Sequence, residues 1–305
     1  MSFFQRLRRI LPSRPGTPER PVRIVTDSTA DLPADVVQEL GITVVPLQVI
    51  FGDKAYRDGV DISSEQFFRM LEEASELPRT SQPSAGEFQR AYEALATETG
   101  RILSIHVSSG LSGTGQTAQL AARALIGRCA IDVIDSGTIS MAMGFAVVAA
   151  AQAARDGADL EMCAGIARSV LRRQRLAVTV DTLEYLRRGG RIGRAQAFVG
   201  GLLRLKPILT IRDGVAHPLA RVRTRRRALD EMLRICLEDA TIEQATVMDS
   251  TTPDDASYLV AEVTKRCPGV PVHQGRIGPV IGVHGGPGLI GLAVVVAEQQ
   301  PAVRS

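Results

Sequence analysis

The run Ser108-Ser109-Gly110-Leu111-Ser112-Gly113-Thr114-Gly115-Gln116-Thr117 follows a β-rich stretch, Arg101 to Val107, and opens a helical pattern. Open α/β sheets bind ligands beyond the carboxyl ends of their strands, where a glycine- and hydroxyl-rich loop offers backbone N–H groups and a helix N-terminus to an anion. Ser109, Ser112 and Gly113 are therefore candidates for holding an anionic group. The loop lacks the lysine of GxxxxGK[ST] and the order of GxGxxG, which weakens the nucleotide and NAD readings. A carboxylate suits it as well as a phosphate. The alternative is a tight strand-to-helix turn in which serine and glycine serve only as caps.

Five further segments carry chemistry of interest. Thr26-Asp27-Ser28-Thr29-Ala30-Asp31 ends an earlier strand, so Asp27 and Ser28 could line the same crevice, while Asp31 is placed to cap the helix beginning at Pro33. Thr80-Ser81-Gln82-Pro83-Ser84 reads as a loop between helices, with Ser84 the N-cap and Thr80 and Ser81 hydroxyls to spare. Arg191 follows the glycine stop Gly189-Gly190, where it can face an anion bidentately or satisfy helix C-terminal carbonyls. His284 sits in a glycine-rich loop, Gly278 to Gly288, a setting that His106, His217 and His273 lack. Arg221, Arg223 and Arg225 cluster at a helix start, where positive charge is unfavourable, which suggests docking to a partner or a phosphate.

The elements that position these residues form two α/β units. Strands at Val22 to Thr26, Thr43 to Ile50, Arg101 to Val107 and Ala130 to Ile134 alternate with helices at Pro33 to Leu40, Ser63 to Glu73, Ser84 to Thr97 and Thr114 to Leu125. That alternation predicts a parallel sheet with helices on both faces. Helices Ser140 to Arg155 and Leu160 to Arg173 lead into a mixed-sheet unit. Its strands are Ala177 to Val180, Ile208 to Ile211, Val215 to Val222, Ala245 to Met248 and Leu289 to Val296, with Asp213-Gly214 as a hairpin turn. Helices Thr224 to Glu238 and Asp254 to Lys265 complete it. The expected divisions are 1–21, 22–158 and 159–299.

The first division differs from the rest. Phe3, Phe4, Leu7, Ile10 and Leu11 would share one helical face opposite Arg6, Arg8 and Arg9, the pattern of a transient membrane-surface anchor, before a proline-rich linker. Disorder is the favoured expectation for residues 1–21, because an isolated helix so short is marginal in water.

Composition excludes other classes. The 305 residues are 45% hydrophobic and 23% charged, the balance of a folded chain with room for two domains. No apolar run reaches the roughly 18 residues of a membrane span. Four scattered cysteines argue for neither zinc nor disulfides and fit a reducing cytoplasm. A net charge of +3 without a reading motif gives no case for nucleic acid.

Taken in order, TDST at 26–29, TSQPS at 80–84, SSGLSGT at 108–114, IDS at 134–136, LEYLRRGGRI at 183–192 and the GPVIGVHGGPG run resemble the DegV family over nearly everything after residue 21. The resemblance implies a two-domain α/β protein that encloses a long-chain fatty acid between its domains. It further implies the lipid-binding subunit of a bacterial fatty-acid kinase, in which an ATP-dependent partner phosphorylates the bound carboxylate. By motif, Thr80, Ser112 and His284 would hold the carboxylate, with Arg191 near the head group. This chain would supply no catalytic base, metal or other cofactor.

Two rival readings stay open at this level. Gly110-Leu111-Ser112 begins a nucleophile elbow, and Ser112, Asp249 and His284 occur in α/β-hydrolase order, although Thr114 stands where GxSxG requires glycine. The other rival is a binding module for a different anionic lipid.

Overall fold

The computed structural model describes residues 21–199 and 205–298. The amphipathic leader and all but the last residue of its linker lie outside the described residues.

In chain order the first part contains β1 (Arg23–Asp27), a 3-10 turn (Ser28–Ala30), α1 (Ala34–Leu40), β2 (Thr43–Val45), β3 (Gln48–Phe51) and β4 (Lys54–Arg57). It continues with α2 (Ser64–Glu73), β5 (Arg79–Ser81), α3 (Ala85–Ala96), β6 (Arg101–His106), α4 (Thr114–Arg123), β7 (Ala130–Asp135), α5 (Met141–Arg155) and α6 (Leu160–Arg173). Next come β8 (Gln174–Thr179), α7 (Glu184–Arg188), a 3-10 helix (Gly193–Phe198), β9 (Lys206–Arg212), β10 (Val215–Val222) and α8 (Arg225–Leu237). The last elements are β11 (Ile242–Asp249), α9 (Pro253–Arg266), β12 (Val272–Arg276), α10 (Pro279–Gly285) and β13 (Ile290–Val296).

Two main sheets result: a four-stranded one in the order β2-β1-β6-β7, parallel throughout, and a six-stranded one in the order β10-β9-β8-β13-β11-β12, antiparallel except for β11 with β12. Helices α3 and α4 cover the outer face of the first sheet through Phe88, Tyr92, Ala118 and Leu125. Helices α8 and α9 cover the outer face of the second through Leu229, Met232, Leu233 and Leu259. Between the sheets lie α5 and α6. One apolar cluster runs from Ile24 and Ile105 through Ala142, Ala146, Ala164 and Ala167 to Leu176, Ala293 and Val295. Helix α5 is therefore buried along almost its whole circumference, which explains a sequence that is apolar on every side and rich in alanine.

The fold class agrees with the sequence, but several elements do not. The run Thr43 to Ile50 is two strands in two sheets, because Pro46 has no N–H with which to continue a ladder. Beyond it β3 forms a small antiparallel sheet in the order β4-β3-β5. Thr80 thus lies on a strand, paired with Val49, and not in a loop. The polar strands β4 and β12 escaped notice because both lie at sheet edges, where charge and polarity replace the apolar signal.

The glycine-rich segment at 278–285 is helix α10, started by Pro279 at its first position. Its glycines permit close packing: a Cβ on Gly282 would sit 2.5 Å from Phe67 and 2.8 Å from Phe68. Although α10 comes late in the chain, it packs on α2 and the small sheet of the first unit, where Val280 and Val283 join Leu47, Val49, Phe67 and Phe68. The two units also meet where Ser108 Oγ donates to Gly214 O at the tip of the β9–β10 hairpin, 2.8 Å away. Gly282→Ala should push α10 off the two phenylalanines at a cost of about 1–3 kcal/mol, read as a lower urea midpoint. An unchanged midpoint would mean that this packing does not hold the helix.

Candidate functional site

A cavity of about 370 Å³ opens between the two sheets at the amino end of α5, a size within the range of about 300–1,000 Å³ usual for small-molecule sites. Its deep wall is apolar: Met141 and Ala142 start α5, and Leu176, Met248, Leu289 and Ala293 face them from the second unit. Besides Thr29, Ser140 and Thr210, its polar side chains gather from four separate elements. Thr80 and Ser81 come from β5 with Gln82 just beyond, Ser112 from the loop before α4, Arg191 from the segment after α7, and His284 from α10.

His284 and Thr80 are in direct contact, with Nε2 and Oγ1 3.0 Å apart. Nδ1 of the same ring is buried without a partner and lies against the backbone of Gly189, where a Cβ would come within 2.2 Å of it. A proton on Nε2 makes the ring the donor and Thr80 the acceptor, and leaves the threonine hydroxyl proton for the cavity. The opposite tautomer would strand a buried N–H, so the first is favoured. Burial, followed by the positive charge of Arg191, pushes the His284 imidazole down to about 4. The ring is neutral at neutral pH.

Arg191 donates from Nε to Leu111 O at 3.1 Å and from Nη1 to Gly189 O at 2.8 Å. Both readings of this residue meet here, since it ties down the chain end of α7 and borders the cavity. These bonds use two of its five N–H groups. Ser112 Oγ shares a hydrogen bond with Thr114 Oγ1 at 2.8 Å and accepts a long one from Thr114 N.

The first four amides of this loop offer no cradle to an anion. Ser109 N–H goes to Asp135, Gly110 N–H to Ser108 Oγ, and the N–H groups of Leu111 and Ser112 to Ser108 O. The loop presents a hydroxyl to the cavity and spends these amides on its own shape.

Other candidates take different positions. Asp27 is fully buried and accepts from Thr29 N, Thr29 Oγ1, His106 Nδ1 and Val107 N, so it holds two strand ends together and faces no ligand. Ser28 Oγ accepts from Leu47 N; the cavity is lined by its neighbour Thr29 instead. Asp31 does not cap α1, whose N-cap is Pro33 with no side-chain bond. Ser109 is exposed and outside the cavity, and Gly113 makes room for Gln82, whose Nε2 donates to Thr117 Oγ1 at 2.9 Å. Arg225 is committed internally to Asp255, Gly288 O and Thr252, which removes it from any docking surface. Arg223 is exposed, and Arg221, exposed too, lies over the Phe198 ring.

The hydrolase triad does not assemble. Asp249 binds Arg276 and Thr252 N, and His284 binds Thr80. A second Asp–His–Ser chain, Asp27–His106–Ser104, does exist, but all three residues have no exposed surface and no substrate can reach the serine. Sequence reasoning missed Gln82, Thr29 and Ser140 as lining residues; the first two stand inside the TSQPS and TDST motifs, and Ser140 had no local signal. Among the described residues no cluster of metal ligands occurs and no helix is long and apolar enough to cross a membrane.

The DegV family model, described as an uncharacterised protein family, matches residues 21–297. A DegV domain-containing protein of Streptomyces coelicolor is 40% identical over 280 residues, covering 90% of this chain and 98% of its own. The structure of a DegV family protein from Thermus thermophilus, described for its fatty acid binding, matches with a TM-score of 0.85 and 36% identity over 91% of this chain and 100% of that one. DegV of Bacillus subtilis, described as a fatty acid binding protein, matches with a TM-score of 0.85 and 32% identity over the same shares.

The lowered pKa of His284 has a defined sign. Between its ordinary 6.5 and about 4 the unfolded chain takes up a proton that the folded one refuses, so stability present above 6.5 drains away as pH falls toward about 4. In ligand-free protein the ring should titrate by NMR with a midpoint near 4. A midpoint near 6.5 would contradict the burial and charge described here.

Proposed function

Because this chain belongs to the DegV family, we propose that it binds one long-chain fatty acid in the cavity between its units, with the carboxylate held by Thr80, Ser112, His284 and Arg191. The observation that carries this reading is the division of the cavity: an apolar, buried wall on one side and neutral hydroxyl and imidazole donors with one arginine on the other. Burying about 14 methylenes at ~0.8 kcal/mol each gives on the order of 11 kcal/mol before the entropic cost of binding. The tail supplies affinity and the head group supplies placement.

The neutral state of His284 supports the assignment, since a ring protonated on Nε2 relays orientation to the Thr80 hydroxyl. Arg191 supplies the counter-charge. In the fuller reading, a separate ATP-dependent kinase docks near Arg221 and Arg223 and transfers a phosphoryl group to the held carboxylate. The resulting acyl phosphate is then shielded from water. The leader at 1–11 contributes transient contact with a membrane surface during exchange of the acid, and the working compartment is the cytoplasm.

Organic extraction of purified protein followed by mass spectrometry should give a straight-chain fatty acid near one per chain. Ser112→Ala and His284→Ala should weaken binding of palmitate by roughly 10- to 100-fold, the worth of a hydrogen bond to a charged group. They should also lower hydroxylamine-trapped acyl phosphate in the presence of kinase and ATP. Protein that carries no acid and takes none up would overturn the proposal, and labelling of Ser112 by a fluorophosphonate probe would favour the hydrolase instead.

A further inference from the structure

Behind the cavity wall lies a second polar cluster that the head-group site does not use. Asp31 Oδ1 accepts from Gly278 N at 3.0 Å and its Oδ2 from Ser140 Oγ at 2.6 Å. Asp58 is 5% exposed, and its Oδ2 is buried without a hydrogen-bond partner. Both carboxyl groups crowd Gly278, whose Cβ position is 2.7 Å from Asp31 Oδ1 and 3.4 Å from Asp58 Oδ1. The cluster joins three parts of the molecule: the turn after β1, the end of β4 and the start of α10.

Among the described residues no ion pair with a cation balances this pair. The groups that face it are Asp27, whose own carboxylate is taken up by His106, Val107 and Thr29; the hydroxyls of Ser28 and Ser140; and the backbone N–H groups of Gly278 and Val280. Arg276, two residues before Gly278, pairs with Asp249 and Glu65. Among the described residues Asp31 and Asp58 have no ion pair with lysine, arginine or histidine. Two buried carboxylates so placed are costly to ionise together. Burial pushes Asp31 up to about 8 and Asp58 up to about 7. Asp31 and Ser140, which bond each other, also sit at positive φ, +50° and +56°, a conformation that persists only where the surroundings impose it.

The pair stands directly against the ligand wall. Ser140, Ile277, Val280, Ile281 and His284 all border the cavity, and the last three belong to α10. We propose that Asp31 and Asp58 form a proton-operated latch: protonated, they dock α10 on the first unit and close the cavity, and loss of their protons loosens α10 and frees the ligand. The release half rests on the lipid reading above; the docking half does not.

The direction follows from the raised pKa values. Stabilisation is complete below the ordinary carboxyl range and is lost as pH rises through about 7 to about 8. His284, at about 4, does not titrate in that window.

Hydrogen exchange of the protein without added ligand tests the latch. Gly282 N–H and Gly286 N–H, bonded within α10 and its cap, report on the helix. Corrected for intrinsic exchange, their protection should fall at least about tenfold between about pH 6 and about pH 9. Amides that pair β1 with β6 should hold theirs, and Asp31→Asn/Asp58→Asn should give a flat profile. Constant protection in the wild type, or the same loss in the folded double variant, would overturn the latch. If that variant does not fold, carboxyl ¹³C titration of the wild type decides: midpoints above about 6 support it and midpoints near the ordinary 3.8 overturn it. A parallel measurement of anthroyloxy-stearate release should show faster loss at the higher pH. Failure of this probe to bind at all would count against the lipid reading, while exchange would still decide the docking half.

Discussion

The hydrogen bond between Thr80 and His284 joins residues 204 positions apart and exists only because α10 crosses from the second unit to pack on the first. Without that crossing the polar end of the cavity would lack its imidazole. The small sheet places Thr80, the Phe67–Phe68 pair accepts Gly282, and the helix then carries His284 to the threonine on its last turn. Gly189 closes against the other side of the ring, so the imidazole is gripped from two units at once.

The same constraint explains why the cavity persists. Helices α5 and α6 hold the two main sheets apart along one apolar core, and the space beyond the start of α5 is left for a ligand. The wall also contains hydroxyls that would spoil an apolar surface, but their bonds draw them outward. Thr29 Oγ1 donates to Asp27 and Ser140 Oγ to Asp31. Buried carboxylates thus engage two of the lining hydroxyls, while Thr80, Ser112 and Arg191 remain at the polar end. An unpaired hydroxyl facing a hydrocarbon chain would cost on the order of 1–3 kcal/mol by comparison with mutational data.

Much of this was legible in the amino-acid pattern, and the exceptions have physical causes. The alternation of β-rich and helical runs fixed the first unit because both faces of its sheet are covered, leaving its strands strongly apolar. Ser84 caps its helix as expected, and Glu87 reaches back to complete a capping box. Pro46 marked the break between β2 and β3, yet the apolar residues on both sides concealed it. The segment around His284 reads as a loop because glycine suppresses helical propensity, whereas here close packing against phenylalanines outweighs that preference. Asp27 and Ser28 carried the right chemistry for a site, and Asp31 that of a helix cap; long-range partners, invisible in local spacing, turned them into internal ties. Arg225 looked like a free docking charge for the same reason, since Asp255 and Gly288 lie 30 and 63 residues away.

The central claim is that the carboxylate of a fatty acid rests beside Thr80, Ser112 and His284. The most direct measurement is the NMR spectrum of the protein loaded with palmitate labelled with ¹³C at its carboxyl carbon. A single bound resonance, distinct from free palmitate and moved by both Ser112→Ala and His284→Gln, is the result this account requires. A bound resonance indifferent to both substitutions would place the head group elsewhere, and no bound resonance would remove the fatty acid from the cavity.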